Sequence, residues 1–164
     1  MHIIIQSSIH TLNKSKILLQ LLNDAQLSDC SIPPYNSCIG SHLRHILDFY
    51  DCILVEGDHA DLTARKRHTN IENNCDVALQ YLEGLVGKIK NIDEQTINRI
   101  VLVTDDLGLG KVEIEYTFSS LLAQANSHAI HHYAIINYIL DGLKINITDD
   151  NFGYNPTTPR QVVN

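Results

Sequence analysis

The stretch Leu121-Leu122-Ala123-Gln124-Ala125-Asn126-Ser127-His128-Ala129-Ile130-His131-His132-Tyr133-Ala134-Ile135-Ile136 decides how this chain reads. Apolar side chains at Leu121, Ala125, Ile135, Ile136, Ile139 and Leu143 recur with helical spacing. They predict a helix over about 119–143, capped by Ser119 or Ser120 and stopped near Gly142. His128 and His132 fall in the centre of that stripe, one turn apart, and His131 lies to the side. A buried neutral imidazole needs partners for both nitrogens, and leaving them unpaired costs free energy. Two imidazoles at i, i+4 aim at a common point, which is how one helix presents two ligands to a divalent ion. The competing reading is a pair of core histidines bonded to carbonyls or to Asp and Tyr side chains. Ala129 stands where an HExxH motif would carry its glutamate base, so a zincin-like peptidase is not expected.

Three more amphipathic helices are predicted upstream. Ile5, Ile9, Leu12, Leu19 and Leu22 form a row over about 6–25, with Ser7 or Ser8 as cap. A second helix runs over about 39–55 on Ile39, Leu43, Ile46, Tyr50 and Ile53, and Gly57 ends it. A third runs over about 72–89 on Cys75, Ala78, Leu82, Leu85 and Ile89. Residues 28–37 and 58–70 read as a loop and a long polar crossing. Between Arg99 and Phe118 the period drops to two: Val112, Ile114 and Tyr116 alternate with Glu113, Glu115 and Thr117. With Ile100–Val103 before it and Gly108 and Gly110 between, this is a β-hairpin. The tail over 146–164 is polar and aperiodic, a strap or a frayed end. The expected fold is therefore all-α, a four-helix bundle in one domain over 1–164, with a β-hairpin inserted between helices three and four.

The third metal ligand has to come from another helix. His42 and His45, at i, i+3 on the second helix, both flank its apolar row, and spacing does not choose between them. His2, His10, His59 and His68 sit near the terminus or in loops and read as surface residues.

At this point the chain resembles the DinB superfamily of metal-binding four-helix bundles. The resemblance rests on Ser37-Cys38-Ile39-Gly40-Ser41-His42-Leu43-Arg44-His45-Ile46-Leu47-Asp48 and on Ser127-His128-Ala129-Ile130-His131-His132-Tyr133. Ala64-Arg65-Lys66-Arg67 and Asn151-Phe152-Gly153-Tyr154-Asn155-Pro156-Thr157 are similar to one uncharacterised subgroup. The resemblance implies a three-histidine site on His45, which precedes Ile46-Leu47-Asp48, with His128 and His132. Many members continue the last motif with Arg-Gly-Gln; this chain has Tyr133-Ala134-Ile135 and lacks that arginine. Characterised relatives include thiol-dependent transferases and isomerases, and bundles of this kind often pair through helix faces, which makes a homodimer a candidate assembly.

Three neutral imidazoles suit zinc, nickel or iron(II), and they leave a coordination position open. For zinc, water bound there acquires a pKa near ~7. The expected function is a metal-dependent enzyme, a thiol-dependent transferase or a hydrolase acting on a small molecule. The alternative is a non-catalytic bundle with a structural or vestigial metal, acting through protein partners. Asp48, His42 and His131 are candidates for the shell around the ligands, Asp48 orienting an imidazole and the histidines serving as acid or base. Arg44, Arg65 and Arg67 can hold an anion, although Arg65-Lys66-Arg67 also reads as a solvated charge run. Tyr50 and Tyr133 are expected between helices with hydroxyls at the rim.

Composition bounds the rest. A net charge of −7 over 164 residues, with its basic residues scattered, argues against nucleic acid. The longest apolar runs are too short to span a bilayer, and nothing in the first residues reads as an export signal. The four cysteines are widely spaced without a CxxC pair, so reduced thiols in the cytoplasm are expected, with Cys38 and Cys52 inert unless they adjoin the metal.

Overall fold

The computed structural model describes residues 1–54 and 56–159. Four long helices carry the apolar rows: α1 (Ile3–Leu21), α3 (Ile39–Ile53), α4 (Cys75–Lys90) and α6 (Phe118–Gly142). Each of α1 and α3 packs against both α4 and α6, closing a ring around one core. Two short helices, α2 (Asp24–Leu27) and α5 (Glu94–Asn98), lie in connections. Among the described residues, no helix is long and apolar enough to cross a membrane.

The all-α expectation fails. Three strands, β1 (His59–Asp61), β2 (Ile100–Asp106) and β3 (Lys111–Thr117), form a mixed sheet in the order β1-β2-β3, so the fold is mixed helix and sheet rather than a plain DinB-type four-helix bundle. The hairpin of β2 and β3 does sit between α4 and α6, with Ile100 opposite Thr117 and Asp106 opposite Lys111. Its tight end needs left-handed backbone, which Gly108 and Gly110 supply at φ +96° and +108°. The additional strand comes from the polar crossing: β1 pairs parallel to β2, His59 beside Leu102 and Asp61 beside Thr104. A lone hairpin would leave the outer edge of β2 unpaired, and β1 covers it. Ala60, Val101 and Val103 are buried, and Ile114 and Tyr116 half-buried, so one face of the sheet lies against the helices.

Helix ends differ from the sequence reading where a polar neighbour competes. Thr117, the last residue of β3, caps α6 by accepting from Ser120 N at 3.1 Å, in place of Ser119 or Ser120. The cap of α1 is His2, and Ser8 is buried in the body of that helix. The first helix stops at Leu21 because Asn23 and Gln26 form a capping box that starts α2. The third helix begins at Cys75, since residues 69–72 form a separate 3₁₀ turn and Asn74 caps α4.

That 3₁₀ turn lies hard against α3. A Cβ added to Gly40 would stand 1.9 Å from the carbonyl oxygen of Glu72, so only glycine permits the approach. Residues 146–159 form a strap, and residues 160–164 of the expected tail lie outside the described residues: Phe152 is buried, its ring centroid 5.0 Å from that of Tyr133. Tyr133 itself is fully buried, not at a rim. Its hydroxyl donates to Thr11 O at 3.0 Å and bonds Ser15 Oγ at 2.6 Å. Tyr50 is also fully buried, and its hydroxyl has no hydrogen-bond partner among the described residues.

Candidate metal centre

The buried face of α6 runs through Phe118, Leu122, Ala125, Ala129, Tyr133, Ile136 and Leu140. His128 and His132 therefore border that face instead of occupying its centre. Small Ala129 and the long-reaching Tyr133 take the middle, which leaves both imidazoles half-buried in the seam between α6 and α3. From α3, His45 enters the same seam.

The three rings close on one another. Ring centroids of His45 lie 4.8 Å from those of both His128 and His132, and His128 and His132 are 4.6 Å apart. One nitrogen from each lies within 4.8 Å of the others, close enough to hold one metal ion. Nε2 of His128 is buried and has no hydrogen-bond partner among the described residues. His45 also makes no hydrogen bond among the described residues. A buried orphaned acceptor is costly unless something absent from the chain satisfies it. The donor set thus fits a divalent ion.

The electrostatics keep the three imidazoles neutral. Burial lowers the pKa of His45 to about 4, helped by the neighbouring His128, Arg65 and Arg44. Burial also lowers His128 to about 4, with Arg65 and His131 adding to the effect. For His132 burial and then the charges of His128 and His45 bring the pKa to about 3. At neutral pH all three rings present lone pairs, the form that binds metal.

Of the other residues expected around the site, His42 is the one that touches a ligand. Its Nδ1 lies 3.0 Å from Nδ1 of His132, and its Nε2 lies 2.8 Å from Ser37 Oγ. His131 is exposed, its ring 5.3 Å from that of His132, and it makes no hydrogen bond among the described residues. Asp48 turns away from the triad. Its buried carboxylate binds Arg44 Nη1 at 3.2 Å and His68 Nδ1 at 2.7 Å, so it orients His68 and not a ligand imidazole.

His68, read from sequence as a surface residue, is consequently a half-buried member of a polar cluster that also includes Tyr81, whose hydroxyl is 3.1 Å from His68 Nδ1. Arg44 bridges Asp48 to Glu72. This cluster fastens the crossing between β1 and α4 onto α3. No local signal marked His68, because the segment around it has no period.

Cys38 caps α3 by accepting from Ser41 N at 3.3 Å. Cys52 donates to the carbonyl of Asp61 at 3.3 Å, and burial raises its pKa. Neither thiol belongs to the triad.

Arg65 is half-buried, unlike exposed Lys66 and Arg67. Its guanidinium carbon lies 5.6 Å from the ring centroid of Phe49, which in turn is 4.9 Å from the ring of His128. A cavity of ≈ 330 Å³ opens beside the triad, with His45 in its wall together with Arg65 and Asp105. Two larger hollows along the C-terminal strap are lined by none of the three triad histidines.

No family model, no curated protein and no solved structure matches this chain.

Proposed function

We propose that this protein binds a divalent metal through His45, His128 and His132 and uses it as an enzyme on a small molecule, as a thiol-dependent transferase or a hydrolase. Kinship with the DinB superfamily is part of that proposal and rests on the motifs around His45 and His128–His132. The observation that carries the reading is the convergence of three neutral imidazoles, with Nε2 of His128 buried and unpartnered.

An ion held by three imidazoles supplies a Lewis-acid centre with a coordination position left open. The chain's own residues do the rest. His42 holds His132 through Nδ1, and the α3–α6 seam keeps the rings desolvated and neutral. His45 belongs both to the triad and to the cavity wall, so a molecule in the cavity reaches the triad at His45.

A catalytic role is favoured over a structural one because a large buried apolar core joins all four long helices without help from the triad. Such a core does not depend on an ion for folding, in contrast with small metal-nucleated domains.

Elemental analysis of protein purified without a chelating tag tests the proposal. Near-stoichiometric zinc, nickel or iron, lost in His45→Ala and His132→Ala, is the expected result. Absence of metal after each ion has been added and dialysed would overturn it.

A further inference from the structure

The cavity beside the triad has an uneven charge distribution that specifies what it binds. Consider first the ion's surroundings. The three ligands are neutral, and the side chain that bonds a ligand, His42, is another imidazole where many sites use a carboxylate. Asp48, the nearest buried carboxylate on α3, is already committed to Arg44 and His68. Among the described residues, no carboxylate therefore bonds a triad imidazole to offset a divalent charge.

Arg65 adds to that excess. It is half-buried beside the triad, stacked on Phe49, and has no carboxylate within ion-pair distance among the described residues. Arg44, in the same cavity, is by contrast satisfied by Asp48 and Glu72. The fold holds Arg65 there deliberately in a mechanical sense. Asp61 at the end of β1 caps the turn over residues 62–64 by accepting from Thr63 N at 2.8 Å, and Arg65 follows directly. A partly desolvated guanidinium left without a counter-charge is costly unless a ligand supplies one.

The lining carries carboxylates as well. Asp105 and Asp106, at the end of β2, line the same cavity. Oδ1 of Asp106 accepts from Gly108 N and Gly110 N, so it is built into the hairpin turn. The cavity lining thus carries the half-buried, unpaired Arg65 and the exposed Arg67 together with the fixed negative charge of Asp105 and Asp106.

We infer that the site takes a small organic monoanion whose carboxylate lies between the triad's metal and the Arg65 guanidinium, while Asp105 and Asp106 disfavour a second anionic group. This deepens the proposed function and rests on the metal reading. The planar fork of arginine matches a carboxylate in two parallel hydrogen bonds, which gives orientation as well as affinity. The ≈ 330 Å³ of space suits a molecule of a few carbons.

The test uses the full chain loaded with cobalt(II), whose visible spectrum reports changes at the ion. Metal content is measured first in the wild type, Arg65→Gln and Arg65→Lys. Acetate and succinate are then titrated as probes. The expected result is equal metal in all three proteins and a saturable spectral change with acetate in the wild type. Arg65→Gln should weaken acetate by about 10- to 100-fold. Arg65→Lys should recover part of that loss, and succinate should bind the wild type more weakly than acetate. Full metal with no response to acetate, or with an equal response in Arg65→Gln, overturns the inference while the metal reading stands. Succinate binding as tightly as acetate overturns the preference for a single charge. A wild type that takes up no cobalt overturns the metal reading, and the inference falls with it.

Discussion

Nδ1 of His42 sits 3.0 Å from Nδ1 of His132, and Ser37 closes the chain on the other side of the His42 ring. One of the two facing nitrogens carries a proton and donates; for His132 to ligate through Nε2, it is His132 that donates and His42 that accepts. Ser37 then accepts from Nε2–H of His42. A partner in this position fixes the ring orientation of the ligand. His42→Ala should lower metal affinity by about 10- to 100-fold with the fold intact, and Ser37→Ala should lower it less. Competition with a chromogenic chelator measures both, and unchanged affinity in His42→Ala would remove its positioning role.

Removing the ion should leave the architecture in place. Chelator-treated protein, and the His128→Ala/His132→Ala double variant, are expected to keep the helical circular-dichroism spectrum and a cooperative thermal transition. Collapse of either to an unfolded spectrum would make the metal structural instead.

The depressed histidine pKa values have a direct stability consequence in the metal-free chain. Unfolded histidines titrate near 6.5, whereas His45 and His128 titrate at about 4 and His132 at about 3 in the folded state. Between those limits the unfolded chain binds more protons, so stability falls as pH drops from 6.5 toward 3 and levels off below. Partial exposure of the rings screens the effect, so its direction is the prediction. Urea midpoints at pH 7 and pH 5 should differ by less in His128→Ala than in the wild type.

Asp48 is the hinge of the cluster that binds the crossing to α3. Asp48→Ala leaves Arg44 and His68 without their shared carboxylate, and a loss of about 3 kcal/mol is expected on breaking a buried charge pair. Denaturant unfolding reads the loss, and a change below 1 kcal/mol would show the cluster to be solvated.

Tyr133→Phe removes the hydroxyl that joins α6 to α1 through Thr11 and Ser15. Since Ser15 is fully buried, its hydroxyl is then left without this partner, and about 1–2 kcal/mol of stability should go. The same denaturant series measures it.

What could be read in advance was whatever has a period. The four apolar rows place α1, α3, α4 and α6, and the switch from period 3.6 to 2 near Arg99 places the hairpin. His128 and His132 were legible by their spacing. His45 was not separable from His42 by spacing, and the motif resemblance chose it. The structure brings both into the seam, in different positions: one within the triad, the other behind His132. Strand β1 stayed hidden because three residues with a single buried side chain, Ala60, carry no periodic signal. Its existence depends on β2, some forty residues later, offering an edge. The same non-local cause hid His68 and Arg65, whose surroundings are set by α3.

The centre of this protein is assembled from two kinds of chain. His45, His128 and His132 stand on long helices whose register is dictated by the core, so few substitutions nearby are tolerated. Arg65, Asp105 and Asp106 stand on the margins of a small sheet, in or beside connections that can change length and composition cheaply. Descendants of such a chain can therefore alter what enters the cavity while inheriting the histidine triad unchanged. Exchanging residues 61–67 between related sequences would change which molecules the cavity admits while leaving the three imidazoles beneath it in place.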